Sequence, residues 1–276
     1  MRHAILVIGH GDSSVLQETI KVLDDKDIDF YIHWDKKFPK PALKATNSNL
    51  IFIDRMKVYW GTDSQVIVEK KLIAAVVNSK NNYDYVHLIS STDIPLMDKN
   101  YFKRYFSKDA YVGFADKIDF SIRKRMMWFY PIRQVNIRGR LKYKIIIKPI
   151  EAINLVFCIN RLRKHSEIEK GTNWFSIRYG LAVEVYNYRK FNRFLNTFLG
   201  DECYIQTILN RYRPKKISEN SDDNKMAARY IDWNRGGPYV FGIEDVKELK
   251  EHVNSNYAFA RKIKNPEVVK CLFGKK

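Results

Sequence analysis

Apolar residues are arranged along this chain in two rhythms. Ala4 to Ile8 and Tyr85 to Ile89 are short runs with little alternation, the pattern of strands buried on both faces. Phe30 to Trp34 and Leu50 to Ile53 read as further strands. Between them the spacing becomes helical. Val15, Leu16, Ile20 and Leu23 follow Ser13 and Ser14, either of which can cap a helix. Val66, Ile73, Val76 and Val77 follow Thr62-Asp63-Ser64-Gln65, where Thr62 and Gln65 fit a capping box. Strand, helix and strand within about 30 residues form the βαβ unit that builds parallel sheets. The pattern predicts an α/β fold with a mostly parallel central sheet flanked by helices.

In such sheets ligands bind beyond the carboxyl ends of the strands. Three polar clusters fall at those ends: Gly9 to Asp12, Asp35 to Lys37, and Ser90 to Asp93. Each alone is an ordinary turn. Together on one edge they form a candidate nucleotide site. The first strand is not followed by G-x-G-x-x-G and the chain has no Walker loop, which disfavours a dinucleotide cofactor or a P-loop. His33 and Asp35 flank Trp34 as two residues of ligand type, short of the three or four a metal wants. No metal and no cofactor are expected.

The second half centres on Gly171 to Tyr212. Gly171-Thr172-Asn173-Trp174-Phe175-Ser176-Ile177 reads as a strand and Leu181, Val185 and Tyr188 as a helix. Gly200-Asp201-Glu202 then opens a helix whose buried face is Tyr204, Ile205, Ile208, Leu209 and Tyr212. Asp201 is a natural N-cap, and Glu202 falls in the first turn, where the helix dipole favours a charged carboxylate. That is what a general base needs, although acids collect in first turns for structural reasons too. Further on, Arg229 to Trp233 reads as a strand and Asn234 to Pro238 as a tight turn. Asp245 to His252 and Asn256 to Lys262 read as short helices.

Charge adds a partner class. The net charge of +18 predicts an acidic partner: a phosphate-bearing substrate, an anionic membrane surface or nucleic acid. Residues 117–148 hold ten basic residues against one acid, Asp119, with Phe120, Trp128, Phe129, Tyr130 and Tyr143 interleaved. That composition suits a membrane interface or a single-stranded nucleic acid, and a basic nucleic-acid-binding protein is the rival reading. The run from Ile145 to Arg163 is apolar and reads as a helix. Cys158, Cys203 and Cys271 are odd in number and widely spaced, which favours a reducing compartment. Met1-Arg2-His3 precedes too short an apolar run for a signal peptide, and no stretch reaches the roughly 20 apolar residues of a membrane span. The expected location is cytoplasmic, with peripheral contact on the inner face of the plasma membrane.

The order of motifs resembles glycosyltransferase family 14, the core-2/I-branching N-acetylglucosaminyltransferases and peptide xylosyltransferases. The matching pieces begin with Leu6 to His10, Tyr31 to Lys37, Val58-Tyr59-Trp60-Gly61 with Ser64-Gln65-Val66, and His87 to Leu96. They continue through Trp174-Phe175-Ser176, Asp201-Glu202, Arg229 to Trp233, and Tyr257 to Lys262. The resemblance implies a GT-A type fold and an inverting, metal-independent transferase that uses a nucleotide sugar, usually a UDP-sugar. It implies Glu202 as the base and Lys262 as one of two cations on the diphosphate. Arg235 is the nearest candidate for the second, with different spacing around its Gly-Gly-Pro turn. Asp35 falls where the family contacts the nucleoside, and Ile8, His10, Lys36, Trp60, Ser64 and Asp93 complete the expected donor site. Arg123, Arg125, Tyr130, Trp174 and Ser176 are the expected acceptor contacts, Trp174 by stacking on a sugar ring.

One domain over 1–276 is expected, with a nucleotide-binding half at 1–115 and an acceptor and catalytic half at 116–276 that carries the basic insertion 117–148. The chain is shorter than animal members and has no anchor and no cysteine framework, which fits a bacterial cytosolic version acting in surface-polysaccharide synthesis. The acceptor is expected to be a glycan, lipid-linked and held by the basic insertion. The cations Arg123-Lys124-Arg125 would face lipid phosphates and Met126 to Tyr130 would lie at the interface, unless those bulky residues pack inward. No nucleic-acid partner is expected in this reading.

Overall fold

A computed structural model describes residues 1–162, 167–217 and 223–274. Arg163, the expected end of the apolar helix, lies outside them. The described residues form a six-stranded sheet in the order β3-β2-β1-β4-β7-β6. Its strands are β1 (His3–Gly9), β2 (Ile28–Trp34), β3 (Leu50–Phe52), β4 (Tyr85–Ser90), β6 (Ala110–Val112) and β7 (Phe175–Arg178). β1 runs parallel to β2 and β4, in a register that pairs Gly9 with Trp34 and Ile8 with Ser90. The carboxyl ends of these three strands therefore share one edge. β7 is antiparallel to β4, so its entry at Phe175 lies toward that edge as well.

The unbroken apolar runs have the expected cause: both faces of the sheet are covered. Ala4 and Leu6 pack with Val66, Leu72, Ile73 and Val76 of the helix Ser64–Asn78, in a cluster that also takes Tyr204 and Ile205 of the helix Asp201–Ile208. Ile5 and Val7 point the other way, into a cluster with Leu16, Ile20 and Leu23 of the helix Ser14–Leu23 and with Phe102 and Phe106. At about 25 cal/mol per Å² of apolar surface, this two-sided burial is the main stabilising contribution.

A second sheet, order β5-β9-β8, was not expected from the pattern. Its strands are β5 (Asp93–Pro95), β8 (Arg229–Ile231) and β9 (Phe259–Arg261). The stretch Asn256 to Lys262 is thus centred on a strand, not a helix. Phe259 packs into one cluster and Ala260 into another, the period-2 alternation of a strand. Arg229 joins the two sheets. Its fully buried guanidinium donates to the carbonyls of Phe175 (2.6 Å), Leu88 (3.2 Å) and Ala227 (2.7 Å) and lies 4.8 Å from the Phe259 ring centroid.

Local capping also departs from expectation. Gly200 is the N-cap of the helix Asp201–Ile208, so Asp201 and Glu202 both sit inside the first turn. Gln65 does not close a box on Thr62; its side-chain oxygen accepts from the Gly61 amide at 2.6 Å. Ser13 makes no capping bond, and Asp12 instead accepts from the Ser14 amide at 3.0 Å.

The basic insertion is helical over Phe120–Met127 and again from Arg140 to Val156, where one π-helical turn at Tyr143–Ile147 is enclosed by α-helix. Met126, Trp128 and Tyr130 are buried. The bulky run thus packs inward, against Ile137, Ile147, Phe198 and Leu199, and only Phe129 of its aromatics is exposed. The interface expected at Met126 to Tyr130 does not exist there, because covering these side chains removes more apolar surface from water than leaving them out.

Candidate active site

The three polar clusters at the strand ends do meet. The Asp35 amide donates to the Gly9 carbonyl at 2.8 Å, and the Ser91 hydroxyl bonds both the amide and the carbonyl of His10, each at 3.3 Å. Gly9 is required here, since a Cβ would stand 2.2 Å from the Trp34 ring. Asp35 is buried; it accepts from the Lys37 amide at 3.0 Å and pairs with the Lys37 ammonium at 3.3 Å. Lys36 is exposed beside it, and Ile8 is part-buried.

Asp93 is also buried and accepts from the Ser90 amide and from Arg261 Nη1, the latter at 2.7 Å. The same guanidinium lies 4.3 Å from the Trp174 ring centroid. Arg261 therefore ties the end of β4 to the entry of β7. Lys262 follows it. Its backbone is held by the Tyr239–Phe241 segment, and Ile263 donates to the Thr92 carbonyl. Burial, and then the charge of Arg261, Arg138 and Lys264, pulls the Lys262 pKa below its usual value. The His10 ring is pulled down as well, by burial first and next by the Lys262 ammonium. No ion pair forms at Lys262, Arg138 or His10 among the described residues. A group of cations short of counter-charge is a receptor for an anion.

A cleft of about 430 Å³ opens alongside. It is lined by Arg125, Lys170 to Trp174, Glu202 and Trp233. Gly171 sets its floor: its amide donates to the Glu202 carbonyl at 2.9 Å, and a Cβ there would lie 1.9 Å from the Gly113 carbonyl oxygen. The Glu202 carboxylate is part-exposed and pairs with Arg125 at 2.8 Å and with Lys170 at 3.8 Å. Trp174 and Trp233 supply apolar ring surface on the same cleft.

Behind Glu202 the carboxyl groups multiply. Asp201 is buried and accepts from Gln65 Nε2 at 3.0 Å, while its second oxygen has no partner. Glu69, one helical turn beyond Gln65, is buried; Asn173 approaches it, but neither oxygen makes a hydrogen bond of normal geometry. Burial, and then the Glu202 charge, raises the Asp201 pKa to about 7. Burial, and then Asp201, raises that of Glu69 well above the usual carboxylate range. Two carboxyls whose pKa values are raised thus back one that is matched by cations.

Several expected residues stand elsewhere. The Ser176 hydroxyl is in the core, bonded to His87 at 2.8 Å and to Arg229 at 3.2 Å, and Tyr130 is fully buried. Ser64 turns inward to Thr62 and the Tyr59 amide. Trp60 and Arg123 are exposed. Arg235 is held by three carboxylates, Asp232, Asp245 and Glu248. His33 is buried and accepts from the Met56 amide at 3.0 Å, a structural role. Sequence reasoning passed over Lys170 and Trp233 as site residues, and named Arg138 and Arg261 only as members of the basic insertion 117–148 and of the basic motif ending at Lys262. Trp233 lay inside the Arg229 to Trp233 motif, which was a usable signal; nothing local marked Lys170. A larger depression, about 780 Å³, lies between the helices Ser14–Leu23, Lys99–Tyr105 and Glu267–Phe273. It contains none of the expected residues, and two of its lining cations, Lys21 and Lys270, are held in ion pairs with Glu18 and Glu267.

An α/β sheet with cations at the strand ends and a carboxylate cleft beside them is the arrangement of a GT-A-like glycosyltransferase. The family model for the Core-2/I-branching enzyme matches residues 4–251, and the chain belongs to that family of glycosyltransferases. Such enzymes take a nucleotide-sugar donor and a glycan acceptor. Comparison with curated proteins gives no match.

Proposed function

We propose that this chain is an inverting, metal-independent glycosyltransferase. It moves a sugar from a UDP-sugar, UDP-N-acetylglucosamine or another UDP-hexose or UDP-pentose, to a hydroxyl of a glycan acceptor. The acceptor is lipid-linked, and the reaction belongs to bacterial surface-polysaccharide synthesis at the inner face of the plasma membrane. The observation that carries the reading is the separation of charge along one sheet edge, with Glu202 as the one carboxylate lining the cleft on one side and cations without ion-pair partners among the described residues around Lys262 on the other.

Glu202 takes the proton from the acceptor hydroxyl as that oxygen bonds the anomeric carbon. The bond from that carbon to the diphosphate oxygen breaks with its electron pair. The new charge on the diphosphate is stabilised by Lys262. One carboxylate suffices, because attack opposite the leaving group inverts the centre and needs no covalent intermediate. His10 and Asp35 border the nucleotide, and Trp174 and Trp233 offer ring faces to sugars. The Arg138 charge acts on Lys262 and makes no ion pair among the described residues, whereas Arg235 is bound by carboxylates, so Arg138 is the better second cation.

Thermal shift tests the reading. UDP should raise the melting temperature, and the rise should survive excess EDTA, whereas a single-stranded oligonucleotide should give none at physiological salt. A shift with oligonucleotide alone, falling steeply with salt, would instead establish the nucleic-acid reading.

A further inference from the structure

The helical segment from Arg140 to Val156 buries apolar and polar residues together on its inward face. Ile147 is buried, Ile146 and Ile150 pack beside it, and two polar side chains are buried with them. Glu151 is buried and paired with Lys124 at 2.6 Å and with Lys148 at 3.0 Å. Asn154 is buried and bonds the amide and carbonyl of Phe129, at 2.7 and 3.0 Å. The outward face is apolar: Leu141 is 69% exposed, Ile145 63%, Ile153 53% and Val156 75%, and Leu155 and Phe157 are exposed to a similar degree. Leu141, Ile145, Ile153 and Val156 recur at helical intervals and share one side of the helix. Six of the fourteen exposed large apolar side chains among the described residues fall between positions 141 and 157, so this is a patch and not scatter.

The charge around the patch has one sign. Arg140, Lys142 and Lys144 are exposed and make no ion pair among the described residues. Between residues 120 and 162 the only acid is Glu151, and it points inward. An outward apolar stripe flanked by cations, with no exposed carboxylate, complements a surface that is anionic above and apolar beneath. A protein partner would need a large acidic and apolar face of matching shape; a bilayer has both properties everywhere.

We infer that the outward face of residues 140–157 is the membrane-docking surface of this enzyme, seated on anionic phospholipid with Ile145, Ile153 and Val156 at the headgroup–acyl boundary. The inference deepens the membrane part of the proposed function and rests on it for the lipid-linked acceptor only. The inward face of this segment packs on Phe198 and Leu199, directly before the helix that carries Glu202, so docking would hold the cleft near the lipid surface.

Flotation with vesicles of phosphatidylglycerol and phosphatidylcholine tests this independently of catalysis. The wild-type chain should float with these vesicles at low salt and should not with phosphatidylcholine alone. Ile145→Glu/Ile153→Glu/Val156→Glu should lower partitioning at least ~10-fold. Arg140→Ala/Lys142→Ala/Lys144→Ala should lower it on the order of 10²-fold. Both variants replace exposed side chains, so the melting temperature and UDP affinity should stay at wild-type values. Failure of UDP binding in the wild type would therefore count against the transferase reading and leave the docking result standing. The inference is overturned if the wild type never floats with anionic vesicles, or if the triple-Glu variant floats as well as the wild type. It is equally overturned if light scattering finds a wild-type dimer that the triple-Glu variant turns into a monomer, since a second copy would then cover the patch.

Discussion

At the scale of single residues, the site works by unequal treatment of like groups. Glu202 faces two cations, while Asp201 beside it and Glu69 behind it are buried and make no ion pair among the described residues. The Asp201 pKa is raised, from 3.8 to about 7, so the folded state keeps a proton that the unfolded chain releases near pH 4. The wild type therefore loses stability from this group as pH climbs from about 4 to about 7. Asp201→Asn keeps an acceptor for Gln65 and does not titrate. Its melting temperature relative to wild type should rise steadily across that window, and a difference independent of pH would refute the buried-acid assignment. The two cation assignments also separate here. Lys262→Ala should weaken UDP binding about 10-fold or more, the range of a charge-assisted contact. Arg235→Ala should change it less than ~3-fold, because Asp232, Asp245 and Glu248 already neutralise that guanidinium. Calorimetric titration of UDP into the three proteins measures both effects.

At the scale of elements, legibility followed locality. β1, β2, β4 and the helix Ser64–Asn78 were plain because each announces itself in its own apolar spacing. β5 and β9 were not, since each is three residues long and exists by pairing with partners far away in sequence, Asp93 with Arg261 and Arg229 with Phe259; β8 was legible as a strand in Arg229 to Trp233, but its pairing was not. The Asp201-Glu202 helix start and the meeting of the three strand-end loops could be read in advance. The inward packing of Trp128 and Tyr130 could not, because it depends on Phe198 and Leu199 from another part of the chain. For the same reason the outward stripe of 141–157 was hidden: its sequence is simply apolar, and only the fold says which side faces water. Arg229 carries the testable consequence at this scale. Arg229→Met preserves length but leaves the Leu88 and Phe175 carbonyls without their donor. Urea unfolding should show a loss of about 2–4 kcal/mol. An unchanged midpoint would mean that the two sheets do not depend on this pin.

At the scale of the whole molecule, buried histidines set an acid limit. Burial holds His3 and His33 at about 4, below their usual 6.5, and holds His87 low as well. The folded state keeps them neutral, so their contribution is complete above pH 6.5 and is lost as pH falls toward 4. Asp201 titrates with the opposite slope in the same window. In Asp201→Asn the fall in melting temperature from pH 6.5 to pH 4 should therefore be steeper than in the wild type, and an equal or shallower fall would contradict this balance.

In the proposed mechanism the cations at the sheet edge hold the diphosphate, Glu202 in the neighbouring cleft takes the acceptor proton, and catalysis is the joint product of the two. Turnover of a panel of UDP-sugars in excess EDTA, followed as UDP release by the wild type and by Glu202→Gln, tests that claim most directly. The wild type should turn over at least one UDP-sugar without added metal. Glu202→Gln should bind UDP within ~2-fold of wild type yet lose on the order of 10² to 10⁴ in rate. Near-wild-type turnover by Glu202→Gln, or activity that EDTA abolishes and manganese restores, would contradict the account.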